Sequence, residues 1–155
     1  MYQITKEVLT ETAHRLLNHP GKCRYLHGHT YKWQVTVTAD KLDHLGMVTD
    51  FGVLKSFMAN IIEESFDHST VLHTDDPLVP ALQVNGQNVL RTSENPTAEF
   101  MAALVFDLIQ DELNLYYEAV HAHRKDGTVE QIRVVSVAVW ETPTSFATYT
   151  GDDNE

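Results

Sequence analysis

The stretch CRYLHGHTYKWQVTVTA, residues 23–39, carries most of the information about this chain. From Thr30 to Ala39, apolar and polar residues alternate, which predicts a half-buried strand. Just before it, His27 and His29 are two residues apart, so an extended backbone would direct both imidazoles to the same face. We therefore expect these two histidines to be able to bind one ion together.

A third imidazole, His14, lies upstream, and strand pairing would bring it beside the pair. Zinc uses three imidazoles when its fourth position is left to water or substrate, whereas structural zinc sites usually have four protein ligands rich in cysteine. The only cysteine is Cys23, so the pattern favours a catalytic metal site. The alternative is a set of solvated surface histidines, since nine histidines in 155 residues can form a His-x-His pair by chance.

Length and composition favour one domain. Of the 155 residues, 43% are hydrophobic, and no linker rich in Pro, Gly or Ser divides the chain. We expect a domain over residues 1–150 and a disordered acidic tail at 151–155. No signal peptide or membrane span is predicted, and the lone thiol fits a reducing, cytoplasmic location. The net charge of −11 argues against nucleic acid and membranes as partners.

Two segments have the hydrophobic spacing of an amphipathic helix. The first runs from Asp50, a suitable N-cap, to Phe66. The second runs from about Pro96 to Leu113, with Asn95 as its cap and the proline in its first turn. We expect both apolar stripes to pack into the core.

Further strands are predicted over Tyr2–Thr12 and Ile132–Trp140. The alternation in the second of these strands places one set of side chains on a common face: Val135, Val137, Val139 and Glu141. A tight turn is expected at Asp126-Gly127, and residues 119–124 form either the hairpin partner of this strand or the end of the second helix. The order strand, strand, helix, helix, strand, strand predicts an α+β domain, an antiparallel four-stranded sheet with two helices on one face.

Six motifs resemble those of the 6-pyruvoyl-tetrahydropterin synthase and 6-carboxy-tetrahydropterin synthase family. They occur in family order: Ala13-His14-Arg15-Leu16, Cys23 through Tyr31, Val48-Thr49-Asp50-Phe51 with Leu54-Lys55, Phe66-Asp67-His68, Pro96-Thr97-Ala98-Glu99, and Trp140-Glu141-Thr142-Pro143. The three residues between the cysteine and His-Gly-His resemble the bacterial 6-carboxy branch, since the animal pyruvoyl enzymes typically have a longer gap. The resemblance covers nearly the whole chain.

The resemblance implies the tunnelling fold, in which subunits join their sheets into a barrel, typically a hexamer built as a dimer of trimers, with active sites between subunits. Exposed sheet edges make pairing with another chain physically reasonable. It also implies a lyase that converts 7,8-dihydroneopterin triphosphate to 6-carboxy-tetrahydropterin on the route to queuosine and other 7-deazaguanines. The alternatives are a 6-pyruvoyl-tetrahydropterin synthase and a metal- or pterin-binding protein without turnover.

The resemblance assigns His14, His27 and His29 as ligands of zinc, which would act as a Lewis acid. It assigns Cys23 as the general base, with nearby positive charge favouring the thiolate. A small buried residue is the structural alternative for this cysteine.

Asp67 and His68 match a pair that assists proton transfer from a neighbouring subunit, although an Asp-His dipeptide is often only a turn or a cap. Glu141 matches the pterin anchor, because one carboxylate can accept both parallel N–H groups of the ring edge. Thr97 and Glu99 match a second part of the ring site, but Glu99 would also favour the helix dipole.

A triphosphate substrate needs a locally basic site on this acidic chain. Lys22 and Arg24, on either side of Cys23, are candidates, and solvated loop charge is the alternative. The loop at 18–22 is shorter than in many relatives, and residues 118–131 resemble an insertion, so the phosphate contacts do not follow from the family pattern.

Overall fold

A computed structural model describes residues 1–123 and 131–151. The strands are β1 (Tyr2–His14), β2 (His27–Ala39), β3 (Ser69–His73), β4 (Val89–Thr92), β5 (Arg133–Thr142) and β6 (Ser145–Tyr149). The helices are α1 (Phe51–Met58), α2 (Glu64–Phe66), α3 (Leu78–Val84) and α4 (Ala98–His123), with a π-helical segment, Ala59–Glu63, between α1 and α2 and a 3-10 turn at Lys22–Arg24.

The strands form one sheet in the order β4-β3-β1-β2-β5-β6. β1, β2, β5 and β6 are joined by antiparallel pairings, whereas β3 is parallel to both β1 and β4. The expected four-stranded antiparallel sheet is therefore wrong, and the domain is α+β with a mixed six-stranded sheet. β3 and β4 were missed because strands of five and four residues are too short to show a clear alternation.

The predicted position of the last hairpin is also wrong. The partner of β5 is β6, which follows it in the chain, and residues 119–123 continue helix α4. No Gly or Pro interrupts residues 97–126, so nothing in the sequence ends the helix at Leu113. The predicted turn at Asp126-Gly127, residue 124 and tail residues 152–155 lie outside the described part of the chain.

The core lies between one face of the sheet and the helices. In β2 the odd-numbered residues from Tyr31 to Ala39 are all buried, as the alternation predicts. They pack in one hydrophobic cluster with residues of α1 and α4, such as Leu54, Met101 and Val105. In β5 the alternation is broken, because a register shift brings Val134 rather than Val135 opposite Val37 and into the core.

Both predicted helices are present, with altered ends. The first begins after Asp50, whose side chain accepts a hydrogen bond from the Gly52 N–H, and its π-helical segment lies within the predicted range. The cap of the second is Thr97, whose hydroxyl accepts the Phe100 N–H at 3.2 Å. The prediction of Asn95 as the cap is wrong, because its side-chain amide hydrogen-bonds to the backbone of Leu17. Over the described residues, no helix is long and apolar enough to span a membrane.

Candidate metal centre and active site

The pairing of β1 with β2 brings the three predicted metal ligands together. His14 and His27 are directly opposite each other in the antiparallel register, and His29 follows two residues later on the same face. The Nε2 atoms of His14 and His27 are 3.2 Å apart. One ring nitrogen from each of the three histidines lies within 4.8 Å of the other two. The sequence prediction of a three-imidazole cluster is therefore confirmed as geometry.

The other ring nitrogens fix the tautomers of two of these histidines. His14 Nδ1 is 2.8 Å from the Pro96 carbonyl oxygen, and His27 Nδ1 is 2.7 Å from that of Tyr25. A carbonyl oxygen only accepts hydrogen bonds, so each Nδ1 carries the proton and each Nε2 of the neutral ring offers a lone pair. Two lone pairs at 3.2 Å repel unless a cation lies between them.

The distance between the His14 and His27 Nε2 atoms suits a metal ion of the size of zinc. Two nitrogens bound to one tetrahedral zinc at about 2.0–2.1 Å are roughly 3.3 Å apart. Burial lowers the pKa of His14, and its side chain is only 3% exposed. Burial likewise lowers the pKa of His29, so both imidazoles are neutral, as metal ligands must be, at neutral pH. These three side chains therefore fit a divalent metal with an open coordination position.

Tyr31 and Glu141 lie beside the cluster. The Tyr31 hydroxyl is 3.1 Å from His14 Nε2 and donates a long hydrogen bond of 3.4 Å to Glu141 Oε1. Burial and the neighbouring carboxylate raise the pKa of Tyr31, so the phenol keeps its proton. Glu141 Oε1 is also 3.9 Å from His14 Nε2. We did not single out Tyr31 from the sequence, although its position two residues after His29 places it on the same face of the strand.

Glu141 also lines a cleft at this end of the sheet. The cleft has a volume of about 560 Å3, and its walls include His29, Lys32, Trp140 and Pro143. The Trp140 ring is stacked on Phe146 with centroids 3.9 Å apart, and the Lys32 ammonium lies 4.2 Å from its centroid. The Trp140 N–H donates to Gln34 Oε1 at 3.0 Å. A flat ligand in this cleft can therefore contact the Glu141 carboxylate, the His29 imidazole and the fixed Trp140 indole.

Cys23 lies in the 3-10 turn that leads into β2, and it is half-buried. Its carbonyl oxygen accepts the Leu16 N–H at 2.8 Å, which ties the two ends of the β1–β2 connection together. The turn places Cys23 four residues before His27, the first residue of β2. The role of Cys23 as a base stays a prediction.

Asp67 and His68 form a separate corner where the helical run ends. Asp67 accepts the Glu11 N–H at 2.8 Å, and its other oxygen is 2.9 Å from His68 Nδ1. These two bonds lower the pKa of Asp67. His68 adopts a positive φ of 51°, which provides the bend that lets adjacent side chains meet. Its imidazole is 79% exposed and lines an open groove that also contains His29, Thr30 and Asn88.

The remaining predicted residues differ in their surroundings. Thr97 is the helix cap, so its hydroxyl has a structural partner, and Glu99 is exposed in the first turn of α4. Lys22 and Arg24 are both exposed. No sequence pattern indicates the Pro96 carbonyl as the partner of His14.

The arrangement defines an α+β protein with a three-histidine candidate metal centre at the end of a strand pair. A family model described as 6-pyruvoyl tetrahydropterin synthase matches residues 3–152. The chain belongs to this family, as the sequence motifs indicated.

Two relatives named 6-carboxy-5,6,7,8-tetrahydropterin synthase match nearly end to end. The one from Rickettsia conorii is 34% identical over 94% of this chain and 98% of its own. The one from Haemophilus influenzae is 31% identical over 96% of this chain and 99% of its own.

Solved structures share the fold. A 6-pyruvoyltetrahydropterin synthase from Plasmodium vivax has a TM-score of 0.70 at 16% identity and covers 97% of this chain and 98% of its own. An uncharacterized protein from Wolinella succinogenes has a TM-score of 0.77 at 24% identity, with the same coverage of 97% and 98%. The expected tunnelling fold is therefore supported by its neighbours.

Proposed function

We propose that this protein is a zinc-dependent lyase, a 6-carboxy-5,6,7,8-tetrahydropterin synthase that acts on 7,8-dihydroneopterin triphosphate on the route to queuosine and other 7-deazaguanines. One observation carries the proposal. The Nε2 atoms of His14 and His27 face each other at 3.2 Å while both Nδ1 atoms donate to backbone carbonyls, an arrangement suited to a bound cation. The names of the full-length relatives support the choice of product.

The reaction balances with one water. The triphosphate leaves as an anion. The bond between the first and second side-chain carbons breaks, and the second and third carbons leave as acetaldehyde. The carbon that remains on the ring is oxidised to the carboxylate, and water supplies its additional oxygen. Its electrons reduce the dihydropterin ring to the tetrahydro level and the phosphate-bearing carbon to a methyl group, so no external oxidant is needed. Protons must therefore be removed from and returned to side-chain carbons, which calls for a base and an acid near the metal centre.

His14, His27 and His29 are the proposed zinc ligands. When bound there, the metal supplies a Lewis acid for the side-chain hydroxyls of the substrate. Cys23 is the proposed base that removes the proton from the adjacent carbon, since it lies in the short turn that leads into His27 of the cluster. Tyr31 keeps its proton and positions Glu141 through their hydrogen bond.

Glu141 is the proposed anchor of the pterin ring. Its carboxylate lines the cleft together with His29, so a ring bound there would direct its side chain toward the histidines. Thr97 and Glu99 remain proposed contributors to ring binding.

We further propose that the active enzyme is a homo-oligomer, a hexamer built as a dimer of trimers, with active sites between subunits. The His68 imidazole supports this proposal. It is 79% exposed and oriented by a hydrogen bond to Asp67, and among the described contacts no hydrogen bond joins it to a residue of the metal centre. In the assembly, Asp67 and His68 of one copy would return protons at the site of another.

Product analysis tests the function. Purified protein loaded with zinc is incubated with 7,8-dihydroneopterin triphosphate, and the products are identified by mass spectrometry, with a chelator-treated sample as the control. We expect 6-carboxy-tetrahydropterin and one acetaldehyde per turnover. A retained three-carbon side chain would instead assign a 6-pyruvoyl-tetrahydropterin synthase. Binding without any product would indicate a non-catalytic pterin- or metal-binding protein.

A further inference from the structure

The connection between β1 and β2 differs in charge from the rest of the molecule. Residues 12–39 contain no Asp or Glu, although 22 of the 155 residues are acidic. The connection itself, residues 15–26, holds three of the eleven Lys and Arg residues. A chain with a net charge of −11 thus has one locally cationic segment, directly beside the histidine cluster.

This connection encloses a hollow of about 540 Å3. Its walls include Arg15, Asn18, His19, Arg24 and Tyr25, and no described carboxylate lines it. The predicted basic residue Arg24 is therefore part of a concave site, whereas Lys22 is exposed beside it. The Arg24 guanidinium and that of Arg15, which is paired with the buried Asp76 behind the wall, make this hollow suitable for an anion.

The backbone around the hollow is held in place. Asn95 donates to the Leu17 carbonyl at 3.0 Å and accepts the Leu17 N–H at 2.7 Å. The Leu16 N–H bonds to the Cys23 carbonyl, which closes the base of the connection. The hollow is thus formed before any ligand arrives, which reduces the entropy cost of binding.

Its side chains also have donors available. Arg15 uses its Nε and one Nη2 hydrogen to bind the buried Asp76, so its other three N–H groups remain for a ligand. His19 accepts the Gly21 N–H at Nδ1, so the neutral ring carries its proton on Nε2. Arg24 uses one N–H on the Tyr25 hydroxyl.

The cleft and the hollow are each connected to the metal centre through a residue that contacts one of its histidines. Glu141, which lines the cleft, lies 3.9 Å from His14 Nε2. Tyr25, which lines the hollow, accepts a hydrogen bond from His27 Nδ1 at its carbonyl oxygen. The carboxylate, the histidines and the cationic hollow match, in this order, the ring, the side-chain hydroxyls and the phosphates of a pterin triphosphate.

We propose that this hollow, through Arg24, Arg15 and His19, binds the triphosphate of the substrate and so selects the phosphorylated pterin. This inference rests on the proposed function for the identity of the substrate. The chemistry it assigns to the hollow, binding of an oligophosphate anion, can be tested without turnover.

The test uses inorganic tripolyphosphate and neopterin, which has the ring and side chain without phosphate, as separate ligands in calorimetry. Arg24 is the residue to change, because it is exposed and its removal leaves the core intact. Arg24→Ala should weaken tripolyphosphate binding by about tenfold or more and leave neopterin binding unchanged. Arg24→Lys should recover part of the loss, because it restores the charge without the planar fork.

Arg133→Ala is the matched control. It removes the same charge from the other end of β2, where Arg133 pairs with Asp40 at 3.1 Å, and it should leave tripolyphosphate binding as in the wild type. The proposal is overturned if the wild type does not bind tripolyphosphate, if the two Ala variants weaken it equally, or if Arg24→Ala also loses neopterin. If tripolyphosphate binds as expected but the wild type neither binds neopterin nor forms product, the hollow stands and the proposed function fails.

Discussion

The metal centre and the Asp67–His68 corner each contain a histidine whose Nδ1 donates a hydrogen bond, yet the two histidines differ in their acceptor and in their exposure to solvent. The partner of His14 is a neutral backbone carbonyl, and the side chain is 3% exposed. The partner of His68 is a carboxylate, and its side chain is 79% exposed. A carbonyl fixes the tautomer and leaves a neutral ligand for a metal, whereas a carboxylate also stabilises the protonated ring.

This difference separates what one chain completes from what it leaves open. The strand pair β1–β2 provides the three nitrogens, and the segments just before β2 and α4 provide the carbonyls that orient two of them, those of Tyr25 and Pro96. The corner presents an imidazole to solvent in an open groove that His29 also lines, and no hydrogen bond joins that imidazole to the metal centre among the described contacts. The predictions below test each half of this contrast.

The largest effect is expected at the metal centre. His29→Ala removes one of three ligands, so the bound zinc, about one per chain in the wild type, and the activity should fall together. Metal content is measured by atomic emission on protein dialysed against buffer. His44→Ala, which removes an exposed histidine of the loop before α1, is the control and should keep its metal. A fully metallated and active His29→Ala protein would remove the basis of the site.

Cys23→Ala should separate binding from chemistry. The substitution removes the proposed base while leaving the three histidines and Glu141, so we expect zinc and neopterin binding to survive and turnover to fall by roughly a hundredfold or more. Single-turnover kinetics measure the chemical step directly. Near-normal turnover, or loss of the metal, would contradict the role assigned to the thiol.

Glu141→Gln tests the ring anchor beside the cluster. The amide keeps the shape of the side chain but faces a ring N–H with a donor, a penalty of roughly 2–4 kcal/mol. Pterin affinity should therefore fall by about thirty-fold to several hundred-fold, measured by calorimetry. Zinc content should not change, and Glu64→Gln, at an exposed position of α2, should bind as the wild type does. Unchanged affinity in Glu141→Gln would argue against a pterin ligand in the cleft.

His68→Ala should lower turnover by roughly tenfold, less than Cys23→Ala does, because water can partly replace an exposed acid. Mixing it with His29→Ala sharpens the comparison. If the sites lie between subunits, dissociation and reassembly of equal amounts should restore activity to about a quarter of the sites, each combining a complete metal centre with an intact His68 from another copy. A mixture no more active than its two components would place both halves in one chain.

The smallest effect concerns the stability provided by the corner. The hydrogen bond from Glu11 and the contact with His68 lower the pKa of Asp67, so its contribution is present above the ordinary Asp range and is lost as pH falls below that range. Asp67→Asn should lower the free energy of unfolding by less than about 1 kcal/mol at neutral pH, because the group is exposed. Urea denaturation at pH 7 and pH 3 measures it, and a difference that persists undiminished at pH 3 would contradict this account.

The sequence by itself determined the face of the strand and the candidate ligands. A period of two fixes which side chains of β2 share a face, and therefore predicts that His27 and His29 point together. The same rule, extended by two residues, would have found Tyr31. Helical spacing located the two long helices for the same reason, since burial on one side imposes the period whatever the neighbouring elements are.

The tertiary structure decided everything that depends on residues distant in sequence. The parallel strands β3 and β4 are too short to show a period, and the bulge at Val135 depends on the register with β2. The partners of His14 and His27 are backbone carbonyls, which every residue possesses, so they cannot be predicted from residue type. The shape of the cationic hollow likewise depends on a distant residue, because Asn95, from the segment before α4, makes two hydrogen bonds to the backbone of the β1–β2 connection.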